Sequence, residues 1–265
     1  MADDRPVGIF DSGVGGLSVL REMRRLLPSE DLIYFADSAY VPYGPRPVAF
    51  VRERSEKITR FLLAEGAKAI VVACNTATTA ALRHLRERFV VPIVGMEPAV
   101  KPATAATRSG HIGVLATEMT IGGDRFADLV HRFAEGVSVH TVVGEGLVPL
   151  VEAGEIASPR AESMVRTYVA PLVEQGADVI VLGCTHYPFL RSLIAGVAGS
   201  GVVILDPAEA VARQTQRVLV TAGLLREAPA PGREVFYTSG DPGELTRVAS
   251  QLLERDVAVL PAAGV

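Results

Sequence analysis

Short apolar runs alternate with amphipathic stretches in the first part of this chain. Four apolar runs predict strands: Val7–Phe10, Leu32–Phe35, Ala69–Ala73 and Pro92–Gly95. Three stretches between them have helical spacing and predict helices: Leu17–Leu27, Val48–Glu65 and Ala77–Arg88. Apolar strands that alternate with helices are typical of a parallel sheet that is covered on both faces. The pattern therefore predicts an α/β domain.

The same pattern starts again after about one hundred residues. His111–Thr117 resembles Pro6–Ser12 in sequence. Further strands are predicted at Val137–Val143 and Val202–Leu205, and a helix at Ser163–Gln175, with crossovers at Glu97–Arg108 and Asp206–Ala208. The repeat has the length of a domain rather than of a solenoid unit. We therefore predict two similar parallel-sheet α/β domains related by pseudo-symmetry.

The C-terminal segment continues the alternation. It predicts a helix at Glu209–Ala222, a strand at Glu234–Thr238 and a helix at Pro242–Leu253. We assign this segment to the first domain because the second domain already has its set of strands. The expected first domain is residues 1–97 plus 208–265, with Cys74, and the second is residues 98–207, with Cys184.

The chain has two cysteines, and they occupy matching places in the two repeats. Gly66–Thr76 and Gly176–His186 each begin with Gly-Ala, continue as an apolar run and reach a cysteine at the same offset. Each cysteine stands where its strand should end, and ligands bind beyond the carboxyl ends of such strands. A lone cysteine is more often a small buried hydrophobe, but two in register favour two half-sites that face each other across a cleft.

Composition excludes several classes of function. Of the 265 residues, 49% are hydrophobic and the net charge is −4, which does not resemble the basic footprint of a nucleic-acid binder. No apolar run approaches the roughly 18 residues of a membrane span, and no signal peptide is evident at the start. We expect a cytoplasmic protein whose two thiols are free, because disulfides are rare in reducing compartments.

The glycine-rich segment after the first strand, Asp11–Gly16, has the form of an anion-binding turn. Its spacing matches neither the dinucleotide fingerprint nor the P-loop. Asp11 could serve in catalysis or cap the following helix. After the cysteines, Asn75, Thr76 and Thr185 offer donors suited to a carboxylate.

Two thiols suit removal of a proton from one face of a carbon and its return from the other. A thiol with a reference pKa of about 8.5 can act as either acid or base near neutral pH. Asp11 and His186 are candidates to orient or activate the thiols. The three lysines lie outside any glycine-rich strand end, which argues against a pyridoxal phosphate route; we expect no cofactor.

The remaining polar candidates carry weaker signals. Glu152, in Pro149–Gly154, reads as a glutamate near a helix start, which is usually solvated. Tyr43 and Gly44 lie in a Pro/Gly turn whose aromatic ring could wall a pocket. Four other histidines show no spacing that indicates a partner or a metal, and we interpret them as surface or core residues: His84, His111, His131 and His140.

These residues together resemble the cofactor-independent aspartate/glutamate racemase superfamily, and within it the glutamate racemases. The resemblance runs through seven motifs in order: Gly8–Ser18, Tyr34–Asp37, Pro42–Pro45, Ala73–Ala77, Ile112–Thr117, Leu147–Glu152 and Leu182–Pro188. It implies a two-base mechanism without a cofactor or metal, in the cleft between the domains. One departure from many relatives is Val143–Gly146, where we expect only local packing to differ.

The resemblance also implies roles for individual residues. Cys74 would be the base for D-glutamate and Cys184 the base for L-glutamate, with Asp11, Glu152 and His186 assisting them. Substrate-binding positions would be Asp11, Ser12, Tyr43, Gly44, Asn75, Thr76, Thr185 and His186. The family resemblance further implies a homodimer that supplies D-glutamate for bacterial peptidoglycan. From the net charge and the lack of a long apolar run we expect neither nucleic-acid nor membrane partners.

Three alternatives remain open at this point. An aspartate racemase would share both thiols and have a shorter pocket. A non-catalytic binding protein on the same fold would not need both cysteines. A cofactor-free decarboxylase of the same superfamily would need one of them.

Overall fold

A computed structural model of the chain describes residues 3–262, 264 and 265. These residues form two compact units. The first contains the described residues up to Met96 and from Ala208 onward, and the second contains Glu97–Pro207. The chain enters the second unit one residue before the predicted boundary. Both units are parallel-sheet α/β domains, so the predicted fold class is confirmed.

The first unit is built on a six-stranded sheet. Its strands are β1 (Val7–Asp11), β2 (Leu32–Ala36), β3 (Ala69–Val72), β4 (Ile93–Gly95), β9 (Glu234–Thr238) and β10 (Val259–Pro261). They run parallel in the order β10-β9-β2-β1-β3-β4. Every residue of β1, β2 and β3 is buried, which explains why these strands appear as continuous apolar runs.

Helices cover this first sheet. They are α1 (Leu17–Leu26), α2 (Val48–Ala64), α3 (Asn75–Arg88), α10 (Ala208–Thr221) and α11 (Pro242–Leu253). Helix α2 packs against α3, while α1 packs against α10 and α11. Through β9, β10 and these last two helices, the C-terminal segment extends the first sheet and covers it.

The second unit repeats the central part of the first. Its strands β5 (His111–Ala116), β6 (Ser138–Val143), β7 (Val179–Gly183) and β8 (Val203–Leu205) run parallel in the order β6-β5-β7-β8. This order corresponds to β2-β1-β3-β4 in the first sheet. The repeat seen in the sequence is therefore a repeat of topology.

Short helices make up much of the second unit. They are α4 (Val100–Ala106), α5 (Glu118–Ile121), α6 (Asp124–Phe133), α7 (Leu147–Glu152), α8 (Pro159–Glu174) and α9 (Arg191–Ala198), with a 3-10 turn at Tyr187–Leu190. Of these, only α8 was predicted, and it begins at Pro159 rather than Ser163. The reason is a cap at Ser158, whose hydroxyl accepts a hydrogen bond from the Ala161 N–H at 3.1 Å.

The predicted crossover at Glu97–Arg108 contains helix α4. This helix buries only Val100 and Ala103, which join the core formed with β5 and β7. Two buried positions are too few to show a period in the sequence, and this is why the helix was missed. Among the described residues, no helix is long and apolar enough to span a membrane.

Candidate active site

In the first unit, the candidate site lies at the carboxyl ends of β1 and β3. The strand order reverses between these two neighbours, and such a switch point is where doubly wound sheets bind ligands. Asp11 is the last residue of β1, and Cys74 follows β3 by two residues. The Ala73 N–H donates to the Phe10 carbonyl at 2.8 Å, which holds the two strand ends side by side.

Asp11 is fully buried and organises the glycine-rich turn. Its Oδ2 accepts a hydrogen bond from the Gly16 N–H at 2.6 Å, and the Ser12 hydroxyl lies 3.4 Å from Oδ1. Gly16 is the residue that precedes α1, so Asp11 serves the helix start from the strand end. A Cβ at Gly16 would come within 2.8 Å of the Asp11 Cβ and 2.9 Å of the Tyr34 hydroxyl oxygen, so this position requires glycine.

Cys74 caps the N-terminus of helix α3 with its thiol. The sulfur accepts a hydrogen bond from the Ala77 N–H at 3.4 Å. This hydrogen bond and the positive end of the helix dipole both stabilise a negative charge on the sulfur. The cap also explains why α3 begins at Asn75 and not at the predicted Ala77.

Asn75 is buried beside Cys74, yet its side chain has no hydrogen-bond partner among the described residues. Both the amide nitrogen and the amide oxygen lack one, and the residue is 2% exposed. Buried polar groups in native proteins are nearly always satisfied. Asn75 therefore has the chemistry of a ligand-binding side chain, and Thr76 next to it is also buried.

Tyr43 is held in a buried network around Asp37. The Tyr43 hydroxyl donates to Asp37 Oδ2, and Arg54 donates to both carboxylate oxygens, at 2.7 and 2.9 Å. Gly44 follows in a turn closed by a 3.0 Å hydrogen bond from the Arg46 N–H to the Tyr43 carbonyl. Burial, then Asp37 and then Cys74 raise the pKa of Tyr43 well above 10, so its hydroxyl stays protonated.

Asp37 and Arg54 were not predicted as site residues. The signal was present in part, because Tyr34–Asp37 is one of the seven motifs that carry the family resemblance. The Asp37 partner on α2 could not be found from spacing, since the ion pair depends on how that helix packs.

In the second unit, Cys184 follows β7 and belongs to a cluster of polar groups that are buried except for the partly buried Glu152. Its sulfur lies 3.8 Å from Nδ1 of His186, and Nε2 of His186 lies 2.6 Å from a carboxylate oxygen of Glu152. The Thr185 hydroxyl lies 3.4 Å from the same Nδ1. These groups were chosen from the sequence, and the structure brings them into one cluster.

His186 is suited to carry a positive charge. Burial alone lowers the pKa of His186, but its hydrogen bonds and charge interactions with Cys184 and Glu152 outweigh burial and raise that pKa well above 6.5. An imidazolium at this position can donate to the sulfur through Nδ1 and to the carboxylate through Nε2. The cluster can therefore stabilise a thiolate at Cys184.

The prediction that Glu152 lies near a helix start is wrong. Glu152 is the last residue of α7. The helix dipole disfavours a carboxylate at that end, and the contact with His186 offsets this cost. The Glu152 carboxylate is therefore held by His186 and is not simply a solvated surface group.

The structure also gives the surroundings of three other histidines and the state of both cysteines. His84 lies 2.9 Å from Glu56, and His111 Nδ1 lies 2.9 Å from His140 Nε2. The sequence spacing could not show partners on neighbouring elements. Both cysteines are free thiols, and the part of the chain that the structure describes has no cluster of three or more His, Cys, Asp or Glu suited to a metal.

Comparison with known proteins places this chain among the racemases, a class of isomerases. Residues 7–215 match the Asp/Glu/Hydantoin racemase family. A glutamate racemase from Herpetosiphon aurantiacus is 54% identical over 92% of this chain and 96% of its own length.

Solved structures agree with the sequence match. Glutamate racemase isoform RacE1 from Bacillus anthracis superposes with a TM-score of 0.90 at 33% identity, over 98% of both chains. Escherichia coli glutamate racemase, in complex with L-glutamate and the activator UDP-MurNAc-ala, has a TM-score of 0.85 at 32% identity over 97% of both chains. The chain belongs to the Asp/Glu/Hydantoin racemase family and is an enzyme.

Proposed function

We propose that this enzyme interconverts L- and D-glutamate by a two-base transfer of protons at the α-carbon. One cysteine thiolate removes the α-proton, and the thiol of the other cysteine delivers a proton to the opposite face. The observation that supports this most strongly is the pair of buried cysteines after equivalent strands, β3 and β7, of two sheets with one topology.

The proton balance fixes the protonation state of each sulfur. In the L-to-D direction, the Cys184 thiolate takes the α-proton and the Cys74 thiol gives up its own. In the D-to-L direction the roles are exchanged. Each turnover thus begins with one thiolate and one thiol and ends with the two states interchanged. A carboxylate-stabilised carbanion at the α-carbon is the intermediate form of the substrate.

Different groups surround the two thiols, and we assign a different assisting residue to each. Asp11 assists Cys74, which the helix N-terminus already favours as a thiolate. His186, held by Glu152, assists Cys184. The remaining proposed binding residues are Ser12, Tyr43, Gly44, Asn75, Thr76 and Thr185, with Asp11 and His186 also contacting substrate.

Glutamate is proposed as the substrate because relatives with more than half of their residues identical are glutamate racemases. A structural neighbour was solved with L-glutamate bound. The buried, unpartnered amide of Asn75 suits a carboxylate of such a substrate. From the family we also infer a cytoplasmic homodimer whose D-glutamate is used to build peptidoglycan, without a cofactor.

A circular dichroism assay tests the proposal. The purified protein, without added pyridoxal phosphate, is incubated separately with both enantiomers of glutamate and of aspartate. We expect both glutamate samples to approach zero ellipticity, with equal kcat/KM in the two directions because enantiomers have equal free energy. No change with either glutamate enantiomer would contradict the proposal, and turnover of aspartate alone would favour an aspartate racemase.

A further inference from the structure

The Asp37 carboxylate is fully occupied by protein donors. It accepts two hydrogen bonds from Arg54, one from the Tyr43 hydroxyl and one from the Ser239 hydroxyl, the last at 2.7 Å on Oδ1. A carboxylate has about four acceptor sites. Because all four are used, Asp37 has no capacity left to bind substrate or to accept its proton.

Four separate parts of the chain meet at this carboxylate. Asp37 directly follows β2, Tyr43 lies in the next turn, Arg54 lies in α2, and Ser239 directly follows β9. The backbone is tied in as well, since the Asp37 N–H donates to the Asp11 carbonyl at 3.0 Å. The network therefore connects the strand end that carries Asp11 to the C-terminal segment.

The guanidinium of Arg54 is also held by neighbouring protein groups. Besides its two hydrogen bonds to Asp37, its central carbon lies 4.1 Å from the centre of the Tyr40 ring. Both members of the ion pair are almost completely buried. Removal of either partner would destabilise the fold, because it would leave a buried charge without compensation.

The network and Cys74 lie at the same edge of the first sheet, because the Asp37 N–H donates to the carbonyl of Asp11 at the end of β1, and the Ala73 N–H donates to the neighbouring Phe10 carbonyl. Cys74 is close enough to contribute to the raised pKa of Tyr43, after burial and Asp37. The Tyr43 hydroxyl donates a hydrogen bond to Asp37, and this bond anchors the phenol ring.

We propose that Asp37 is a positioning residue that, with Arg54 and Ser239, holds Tyr43 and Gly44 in place beside Cys74. The C-terminal segment thereby takes part in forming the substrate site through Ser239. The effect on catalysis rests on the proposed function, whereas the effect on the environment of Cys74 does not.

Two variants loosen the network without leaving the buried Arg54 unpaired. Ser239→Ala removes one donor to Asp37 at a residue outside the proposed substrate-binding set, and Tyr43→Phe removes another. Ser55→Ala is a matched control, because Ser55 is the buried neighbour of Arg54 on α2 and its hydroxyl donates to the Val51 carbonyl.

The first readout separates KM from kcat. We expect Ser239→Ala to raise KM for both glutamate enantiomers about 3- to 10-fold while kcat stays within about twofold. The reason is that a less fixed Tyr43–Gly44 turn, the wall of the site, weakens substrate binding without removing either catalytic base. Tyr43→Phe should act in the same direction. The double variant should show less than the product of the two single effects, because both act on one carboxylate.

The second readout is independent of turnover. Iodoacetamide alkylation of the substrate-free enzyme is followed at each cysteine by mass spectrometry. We expect Ser239→Ala to speed alkylation of Cys74 about threefold or more and to leave Cys184 unchanged, because only the wall beside Cys74 is loosened. Ser55→Ala should match the wild type in both readouts.

The outcomes are distinct. If Ser239→Ala lowers the melting temperature but leaves both KM and the Cys74 alkylation rate unchanged, the network is only structural and the positioning proposal is refuted. If the wild type does not turn over glutamate, the proposed function fails, and the alkylation rates still decide whether Asp37 holds the wall beside Cys74.

Discussion

Replacement of Glu152 by Gln tests the contact chain from Glu152 through His186 to Cys184, which we call the relay and which stabilises a thiolate at Cys184. The wild-type carboxylate accepts a hydrogen bond from His186 Nε2 over 2.6 Å, and the imidazole faces the Cys184 sulfur through Nδ1. Glutamine keeps the size of the side chain and one acceptor oxygen but removes the negative charge. The change therefore isolates the electrostatic part of the contact.

The size of the effect follows from hydrogen-bond energies. A hydrogen bond to a charged group contributes about 1.5–3 kcal/mol, whereas a neutral one contributes about 0.5–1.5 kcal/mol. The difference is about 1–1.5 kcal/mol, which corresponds to a loss of about 5- to 13-fold in kcat/KM at 1.36 kcal/mol per factor of ten. The loss must be equal for the two directions, because the enantiomers are equal in free energy.

Glu152→Gln should also change how kcat/KM depends on pH. Burial lowers the pKa of His186, while Cys184 and Glu152 raise it to well above 6.5. Loss of the Glu152 charge removes one of the two raising contributions, so the pKa of His186 falls. The imidazolium is then lost at lower pH, and the alkaline limb of the kcat/KM profile should move to lower pH.

The same shift affects stability. Because the folded-state pKa of His186 is raised, its charge contributes stability that is fully present below about pH 6.5 and is lost as pH rises through the folded-state pKa. Urea unfolding of the wild type should show this loss above pH 6.5, and Glu152→Gln should show less of it.

The assay compares kcat/KM against pH for the wild type, Glu152→Gln and Glu155→Gln. Glu155 is a matched control, since it lies just beyond α7 and pairs with the exposed Arg160 at 3.5 Å. We expect the control to behave as the wild type. An unchanged alkaline limb and an unchanged kcat/KM in Glu152→Gln would refute the assigned relay.

Two further changes separate binding from stability. Asn75→Ala should lower kcat/KM about 10- to 150-fold, because one hydrogen bond to a substrate carboxylate is lost. The unfolding free energy should stay within about 1 kcal/mol of the wild type, because the amide has no hydrogen-bond partner among the described residues to lose. A large fall in stability would contradict this. Lys68→Met should cost about 3–5 kcal/mol in urea unfolding, because it leaves the buried Glu30 carboxylate, 2.7 Å from Lys68 Nζ, without its cation. Lys57→Met, which breaks an exposed pair, should cost less than about 1 kcal/mol, and equal costs would refute the argument.

The central strands of both sheets could be predicted from sequence because they are buried on both faces, whereas the short edge strand β10 (Val259–Pro261), with two exposed residues, was not predicted. Val7–Asp11 and Val179–Gly183, for example, contain no exposed residue. The sequence repeat around Cys74 and Cys184 was visible because the two cysteines follow equivalent strands, β3 and β7, of two sheets with the same topology. The helices between β5 and β7 were largely missed because each is short and buries few residues, so no period develops.

Side-chain partners were the least predictable part of the candidate site. His186 and Cys184 are near neighbours in the chain, whereas Glu152 reaches them from another helix and was misplaced at a helix start. Ser239 and Asp37 meet only because β9 pairs with β2. Contacts of this kind depend on strand pairing and helix packing, which no local pattern encodes.

The most direct test of the two-base mechanism is α-deuterium incorporation in D₂O by Cys74→Ser and Cys184→Ser. Neither variant should invert glutamate, because each lacks the thiol on one face of the α-carbon. A serine hydroxyl cannot replace a general base that contributes about 10²- to 10⁴-fold to the rate. Cys74→Ser should exchange the α-proton of L-glutamate only, and Cys184→Ser that of D-glutamate only. Inversion at the wild-type rate, or exchange of both enantiomers by one variant, would contradict the assignment of one base to each face.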